Sequence, residues 1–428
     1  MKGITWLDDL KLRANYGVMG NQINVRSGNA FTTYGSNRRS SYYDLSGTSG
    51  TGALEGFEKS QIGNPDAVWE KNISTNFGID ATFFKGRLDV IADYYIKDVK
   101  DLLYNPTLIG TAGGGQVPFV NIAQMKNKGV DLQLTSHFDL AKDLKMNATL
   151  TFTTYNNKIL KVTNSTNYFD LEGRGFDGHS IVRNQVGNSI GQFFGYKVEG
   201  FWNSEEEIAA ANAQAVAQTG DANAVFQDGA ALGRFRYQNT NGDGQITAAD
   251  RTILGNPNPD FSYGLNLGFN YKQFDFSLFL YGVQGNQIWN QTLWWSDFNS
   301  SRSGAKSKTA LYDSWTPENH NAKAPIQENS SSFSTINVPN SYFVEDGSYL
   351  RAKNVQLGYT FTPAFLKKIK TQQFRIYVQA TNLFTITKYS GLDPEVSRNA
   401  DGNPTVFGID EGSYPSSKQY TVGINLTF

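Results

Sequence analysis

The stretch Asn72–Lys97 constrains the fold more than any other, because it alternates apolar and polar residues over two strand lengths around a tight turn. In its first arm Ile73, Phe77, Ile79, Ala81 and Phe83 share one parity, and Ser74, Asn76, Gly78, Asp80 and Thr82 the other. After Lys85-Gly86, Leu88, Val90, Ala92, Tyr94 and Ile96 alternate with Arg87, Asp89, Asp93 and Lys97. Side chains on a strand point to opposite faces with period two, so this is a β-hairpin with one apolar and one polar face. Each arm reaches the roughly 9–11 tilted residues with which a barrel strand crosses a bilayer.

The same alternation recurs along the chain. Lys11–Tyr16 forms a first strand. Val130, Leu132, Leu134 and Phe138, then Met146, Ala148, Leu150 and Phe152, form two more. Phe261–Tyr271, DFSLFLYGVQG, Val355–Phe361, FRIYVQATNLF and KQYTVGINLTF complete a set of about ten. An even count suits a bacterial outer-membrane barrel. The connections divide into two kinds. Lys85-Gly86, Ala141–Lys145, Lys272–Phe274 and Thr362–Lys370 are short, whereas Asn21–Val68, Asn105–Asn127, Asn156–Asp260, Gln287–Gly347 and Lys388–Ser417 are long. Loops of that length are rare in compact soluble domains. Short turns on one side and long loops on the other mark an outer-membrane barrel with periplasmic turns and extracellular loops. The expected fold class is therefore all-β, an antiparallel transmembrane β-barrel segment. Its polar parity, including Asp80, Asp89, Asp93, Asp131 and Gln133, is expected to face the lumen. A β-propeller would need a repeat of about 40–50 residues, which the sequence lacks; a sandwich would not need the side-to-side asymmetry.

Composition agrees and excludes alternatives. The formal net charge is −1, so no basic footprint for nucleic acid is present. The absence of Cys removes disulfides, thiolate catalysis and Cys-ligated zinc. The three histidines, His137, His179 and His320, are far apart in sequence and form no metalloprotease pair. No His-centred nucleophile arrangement is visible, and no enzyme activity is expected. Mean hydropathy is −0.44, which does not argue against a barrel, whose strands carry their apolar half in alternation. The start, MKGITWLDDLKL, lacks an apolar signal core.

Residues 158–258 are expected to form one long extracellular loop with structure of its own. SIGQFFGYKVEGFW reads as a short hairpin or edge strand. Ser204 before Glu205, Glu206 and Glu207 reads as a helix start, with Gly220 as its stop. Asn239–Asp250 (NTNGDGQITAAD) approximates a calcium loop, with Asn239, Asn241, Asp243, the Gln245 carbonyl and Asp250 as ligands. Only two of these are carboxylates, so any calcium would bind weakly. The alternative is a metal-free Asn/Gly/Asp turn. No other cofactor is expected. Trp289, Trp294 and Trp295 cluster beyond the strand ending near Gly285, and Trp202 and Trp315 lie in other loops. Exposed indoles there would stack on sugar rings or grip a partner; otherwise they pack the loop core or sit at the membrane interface. The glycine-rich Gly110–Gly115 lacks the lysine and strand–helix setting of a phosphate loop and reads as a loop tip. The last strand carries Tyr420, Val422, Ile424, Leu426 and Phe428 on one face. Such an aromatic ending is what barrels present to the assembly machinery.

With these patterns in view, NPDAVWEKNISTNFGIDATFFKGRLDVIADYYIKDVKDLL, NKGVDLQL, NGDGQITAADRTILGNPNPDFSYGLNLGFNYKQFDFSLFLYGVQGN, SYLRAKNVQLGYTF and ATNLFTITKYSGLDPE resemble SusC/RagA-type TonB-linked outer-membrane proteins, the TonB-dependent receptors of Bacteroidetes. The resemblance covers nearly all of residues 1–428, although the calcium-like loop opens with Asn239 where the family usually has Asp. It implies a 22-stranded barrel with an N-terminal plug and TonB box, an outer-membrane location, and import of glycans, oligosaccharides or peptides with a SusD-like surface lipoprotein. About ten strands are found here and neither plug nor TonB box, so the expectation is the C-terminal barrel part, with TonB engaged only through the missing N-terminal part. The rival expectation is an autonomous small porin or adhesin.

Overall fold

The computed structural model describes all residues except 1–4, 22–24, 26, 46, 48–51, 105–114, 164–165, 172–175, 177–178, 302–303 and 397–405, and leaves the side chain of Leu171 undescribed. Most of the glycine-rich Gly110–Gly115 segment therefore lies outside the described residues.

Ten strands form one antiparallel meander in chain order: β1 (Leu7–Asn21), β2 (Glu70–Phe83), β3 (Leu88–Tyr104), β4 (Val120–Ala141), β5 (Leu144–Val162), β6 (Phe261–Tyr271), β7 (Phe274–Gln284), β8 (Tyr349–Thr360), β9 (Gln373–Thr381) and β10 (Gln419–Thr427). A short eleventh strand, Thr385–Thr387, continues from β9 along the upper part of β8. These are the ten strands that the alternation predicts, but several run further. β3, β4 and β5 extend well past the expected ends, and residues 120–127 and 156–162 belong to the sheet rather than to loops. The reason is local chemistry. Beyond the apolar band polar residues enter both parities and apolar ones such as Ile122, Ile159 and Val162 are buried under the long connections, so the alternation fades while the backbone ladder continues, as where Asn127 lies opposite Lys97. The Lys126–Asp98 ion pair at 3.1 Å marks that polar extension.

Every short connection lies at one end. Residues 84–87, 142–143, 272–273 and 361–372 link neighbours there, and 22–69, 105–119, 163–260, 285–348 and 382–418 link them at the other. The 84–87 turn is four residues rather than two. Phe84, Lys85 and Gly86 all have left-handed backbone, with φ of 57°, 60° and 76°, and Gly86 donates its N–H to Asp8.

Register sorts the side chains. Leu12, Ile79, Ala92, Leu132, Phe152 and Tyr263 are consecutive cross-strand partners from β1 to β6. The row beside it reads Arg13, Gly78, Asp93, Asp131, Thr153 and Ser262. A one-residue slip would exchange the two faces, so the register is strongly specified. The apolar face has no protein covering. Leu12, Phe77, Leu357 and Val422 are among many exposed large side chains on it, forming a patch far beyond what a soluble monomer carries.

The long connections carry the dry core instead. Tyr168–Leu171, Val182–Gln185, Phe193–Gly195 and Thr252–Gly255 form a four-stranded sheet. Val198–Phe201 pairs with Phe235–Tyr237. Gln287–Asn290 lies between Val344–Asp346 and Ile409–Asp410. SIGQFFGYKVEGFW is thus not a hairpin. Its two strands take different partners, because each finds apolar cover elsewhere in the loop body. One aromatic cluster joins three connections, with Phe193, Tyr237, Trp289, Phe343 and Ile409 all buried in it. Helix α1 (Glu205–Thr219) sits on this body. Ser204 accepts from the Glu207 N–H, and Gly220, at φ 74°, closes it.

Candidate functional site

Two surfaces present chemistry: the polar face of the wall and the body built from the long connections. On the polar face two arginines are neutralised by carboxylates within the sheet. Arg13 on β1 gives Nε and Nη2 to Asp80 at 3.0 and 2.8 Å, and Nη1 and Nη2 to Asp93 at 2.8 Å each. The guanidinium lies over Gly78 on the strand between; a Cβ there would stand 2.5 Å from it. The opposite flank repeats the device. Arg375 on β9 makes a bidentate pair with Asp275 on β7, crossing β8 at Gly358, where a Cβ would run into both partners. Bidentate pairs of this kind fix geometry as well as charge. Between the flanks the same face offers Thr149, Thr151, Thr153, Ser262 and Asn266, so much of it is hydroxyl and amide.

The three tryptophans do not share a surface. Trp289 is fully buried, stacked on Phe343 at 5.4 Å and edge-on to Phe176 at 5.6 Å, and its indole N–H donates to Gln291. It packs the loop core and is not available to cargo. Its apolar neighbours come from connections distant in sequence, which no local pattern reveals. Trp294 and Trp295 are half-buried and meet edge to face at 6.2 Å. Trp315 is also buried, donating to Asn203 and lying flat against His320.

The calcium-like loop closes on itself. Asn239 Oδ1 accepts from the Gly242 N–H, Asn241 Oδ1 from the Asp243 N–H, and Asp243 Oδ1 from the Gln245 N–H. The Gln245 side chain donates to the Val225 carbonyl. Asp250 is fully buried: Oδ1 accepts from the Thr240 N–H and Oδ2 from the Thr247 N–H, each at 2.8 Å. The Asn241 amide also donates to Asp243 Oδ2 at 2.8 Å. The two carboxylates thus serve as acceptors for the turn itself. No group of three or more His, Asp or Glu placed to hold a metal occurs among the described residues.

At the far edge, Tyr420, Val422, Ile424, Leu426 and Phe428 are all exposed. The first four lie opposite Ala380, Val378, Ile376 and Phe374 of β9, on one face.

One cluster escapes a residue-by-residue reading of the sequence. Arg351, near the upper end of β8, is 3% exposed and donates to Thr385, Asp393 and Glu395. Asp393 also accepts the N–H groups of Glu395 and Ser416, tying the two ends of the 382–418 connection together. Burial would raise the Asp393 carboxyl, but Arg351 and these N–H donors hold it below the usual carboxylate range. Nearby, burial and the adjacent Asp410 carboxylate push the Tyr389 hydroxyl far above its ordinary value, and it donates to Asp410 at 2.6 Å. The available signal was a single arginine in an otherwise alternating strand, which demands a carboxylate from elsewhere.

An exposed apolar face, a polar face on the other parity and connections sorted by length to two ends describe a barrel wall. The family described as "TonB dependent receptor-like, beta-barrel" matches residues 3–383. The chain belongs to that family. This TonB-dependent receptor chain is 31% identical over 432 residues to TonB-dependent receptor P3 of Formosa agariphila, covering 99% of the chain and 39% of that relative. It is 26% identical to TonB-dependent receptor SusC of Bacteroides thetaiotaomicron, covering 100% of the chain and 38% of SusC. The structure of the RagAB peptide transporter matches with a TM-score of 0.75 and 25% identity, covering all of this chain and 41% of that one. The receptor chain is thus of SusC/RagA type, in a family of outer-membrane β-barrel proteins, and spans about two fifths of the length of these relatives.

Proposed function

We propose that this chain supplies wall and extracellular loops to a SusC/RagA-type importer in the outer membrane, carrying oligosaccharides or peptides inward in concert with a SusD-like surface lipoprotein. The observation that carries the reading is the division of the chain into a lipid-compatible wall and one packed body at the long-connection end. A body of that size beside the wall offers a broad surface on which a lipoprotein could seat and release cargo. The wall's polar face, with Arg13 and Arg375 both paired within the sheet and hydroxyl and amide groups between them, suits hydroxyl- and amide-rich molecules. Strands and a plug from the rest of such a protein would complete the barrel, and TonB would act through that plug. The exposed Tyr420–Phe428 parity would serve assembly into the membrane. The reading leaves no chemical step to the chain, and no catalytic residue is assigned.

The test is uptake. A strain lacking the receptor should lose accumulation of labelled oligosaccharide or oligopeptide, and restoring the gene should return it. Affinity purification from the membrane should bring a surface lipoprotein with it. A chain that closes alone, with a heat-modifiable gel shift and steady bilayer conductance, would instead support the autonomous porin.

A further inference from the structure

One face of the four-stranded sheet in the 163–260 connection carries an alternating stack of aromatic rings and cations. Asp170 lies opposite Arg183 in the register, Phe194 belongs to the next strand, and Arg251 immediately precedes the last. The Arg183 guanidinium sits 3.7 Å from the Tyr168 ring centre and 3.7 Å from that of Phe194. Arg251 lies 4.5 Å from the same Phe194 ring. Aromatic faces attract such cations and orient them but do not neutralise them.

The two arginines are unequally matched. Arg183 has its carboxylate: Nε and Nη2 donate to the two oxygens of Asp170 at 2.8 and 2.7 Å. No carboxylate among the described residues pairs with Arg251. Its Nη2 donates to the Ser180 carbonyl, and its Nε is shut from solvent with no acceptor. A largely desolvated guanidinium with no carboxylate hydrogen-bonded to it is costly, and an unmade hydrogen bond on it adds to the cost. Burial pushes Arg251 below the ordinary arginine range, with the Arg183 charge adding to the effect and the Asp170 carboxylate, which is bonded to Arg183, only partly opposing it. Every other arginine–carboxylate pairing described above is complete, which sets this one apart. Arg251, Arg183, Asp170 and Tyr168 are all partly open to solvent, so a ligand can reach the stack.

We propose that Arg251 anchors a carboxylate-binding subsite in the loop body, with the Arg183–Phe194 stack holding its guanidinium in place. The ligand class is a small molecule or oligomer unit bearing a carboxylate. The planar guanidinium would offer it the N–H groups of Nη1, the nitrogen neither bonded nor shut from solvent, and a flat sugar or peptide face would lie along the aromatic edge. The two chemical sources are an acidic sugar and a free peptide C-terminus. The subsite rests on the import reading only for its purpose. The polar wall would carry the hydroxyl-rich body of the cargo, and this site would select for its charge.

The experiment is calorimetric titration of the full chain in detergent micelles with four probes: glucuronate, glucose, an N-acetylated dipeptide with a free C-terminus, and the same dipeptide amidated. At least one carboxylate probe should bind about tenfold or more tightly than its neutral counterpart, the usual effect of a charged hydrogen bond. Binding of glucuronate alone marks an acidic sugar, and of the free dipeptide alone a peptide terminus. Arg251→Gln should lose that preference, and Arg251→Lys should keep part of it, retaining charge without the planar fork. Equal binding of charged and neutral probes, or no binding of any, overturns the proposal. So does an Arg251→Gln protein with an unchanged melting temperature and wild-type preference. Should Arg251→Gln fail to fold, the wild-type contrast and the lysine variant decide the matter. Carboxylate binding by the purified chain without cargo uptake in cells would sink the import reading while leaving the subsite standing.

Discussion

The wall and the loop body use hydrophobic residues in opposite ways. In the wall Leu12, Phe77 and Val422 point away from all protein, and the strands are held by their backbone ladder and by ion pairs laid across glycines. In the loop body Trp289, Phe193, Tyr237 and Phe343 are buried together, as in a soluble protein. The contrast teaches that apolar content alone places nothing in this chain. An apolar residue on an alternating strand marks lipid, and one in a long connection marks a dry core.

Mutations that respect one rule and break the other separate the regions. Trp289→Ala should have the largest effect. Removing a fully buried aromatic costs about 3–5 kcal/mol, and the loss should appear as rapid proteolysis of the long connections with the strand content unchanged by circular dichroism. Ile79→Arg follows, at about 2–4 kcal/mol for a cation on the lipid face near mid-bilayer. It should block membrane assembly, whereas Asp80→Leu one residue away should not; equal assembly of both variants would erase the distinction between the faces. Asp393→Asn should cost about 1.5–3 kcal/mol, the range for a hydrogen bond to a charged group, and loosen the 382–418 connection. Because Asp393 is held below its unfolded value, its stabilisation is present above about pH 4 and is lost as pH falls through the folded value. Pepsin sensitivity of that connection should therefore rise on acidification in the wild type, while the Asp393→Asn variant should be sensitive already at higher pH. Ser204→Ala should be the mildest, about 1 kcal/mol from the lost α1 cap, visible as a small drop in helical signal with the wall untouched.

How much of this was legible in the sequence follows the same divide. The ten strands and the sidedness of their connections could be read because parity is a local property. Strand ends could not, since the ladder of β3, β4 and β5 outlasts the alternation that reveals it. The α1 cap and stop were local and readable. The burial of Trp289 was not, because Phe176, Phe343 and Ile409 reach it from three separate connections. That Asp250 accepts from the Thr240 and Thr247 N–H groups could not be read either, because those contacts depend on loop conformation and not on residue type.

The facing of the wall is the central claim, and the lack of any cysteine makes it directly measurable. Single cysteines placed in turn at positions 74 to 77 and 79 to 82 of β2, leaving out Gly78 beneath Arg13, in protein assembled in the outer membrane, would be challenged with a water-soluble maleimide. Labelling should alternate: residues 74, 76, 80 and 82 should react, and 75, 77, 79 and 81 should be protected by lipid. Uniform labelling along the strand, or protection at the even positions, would contradict the account.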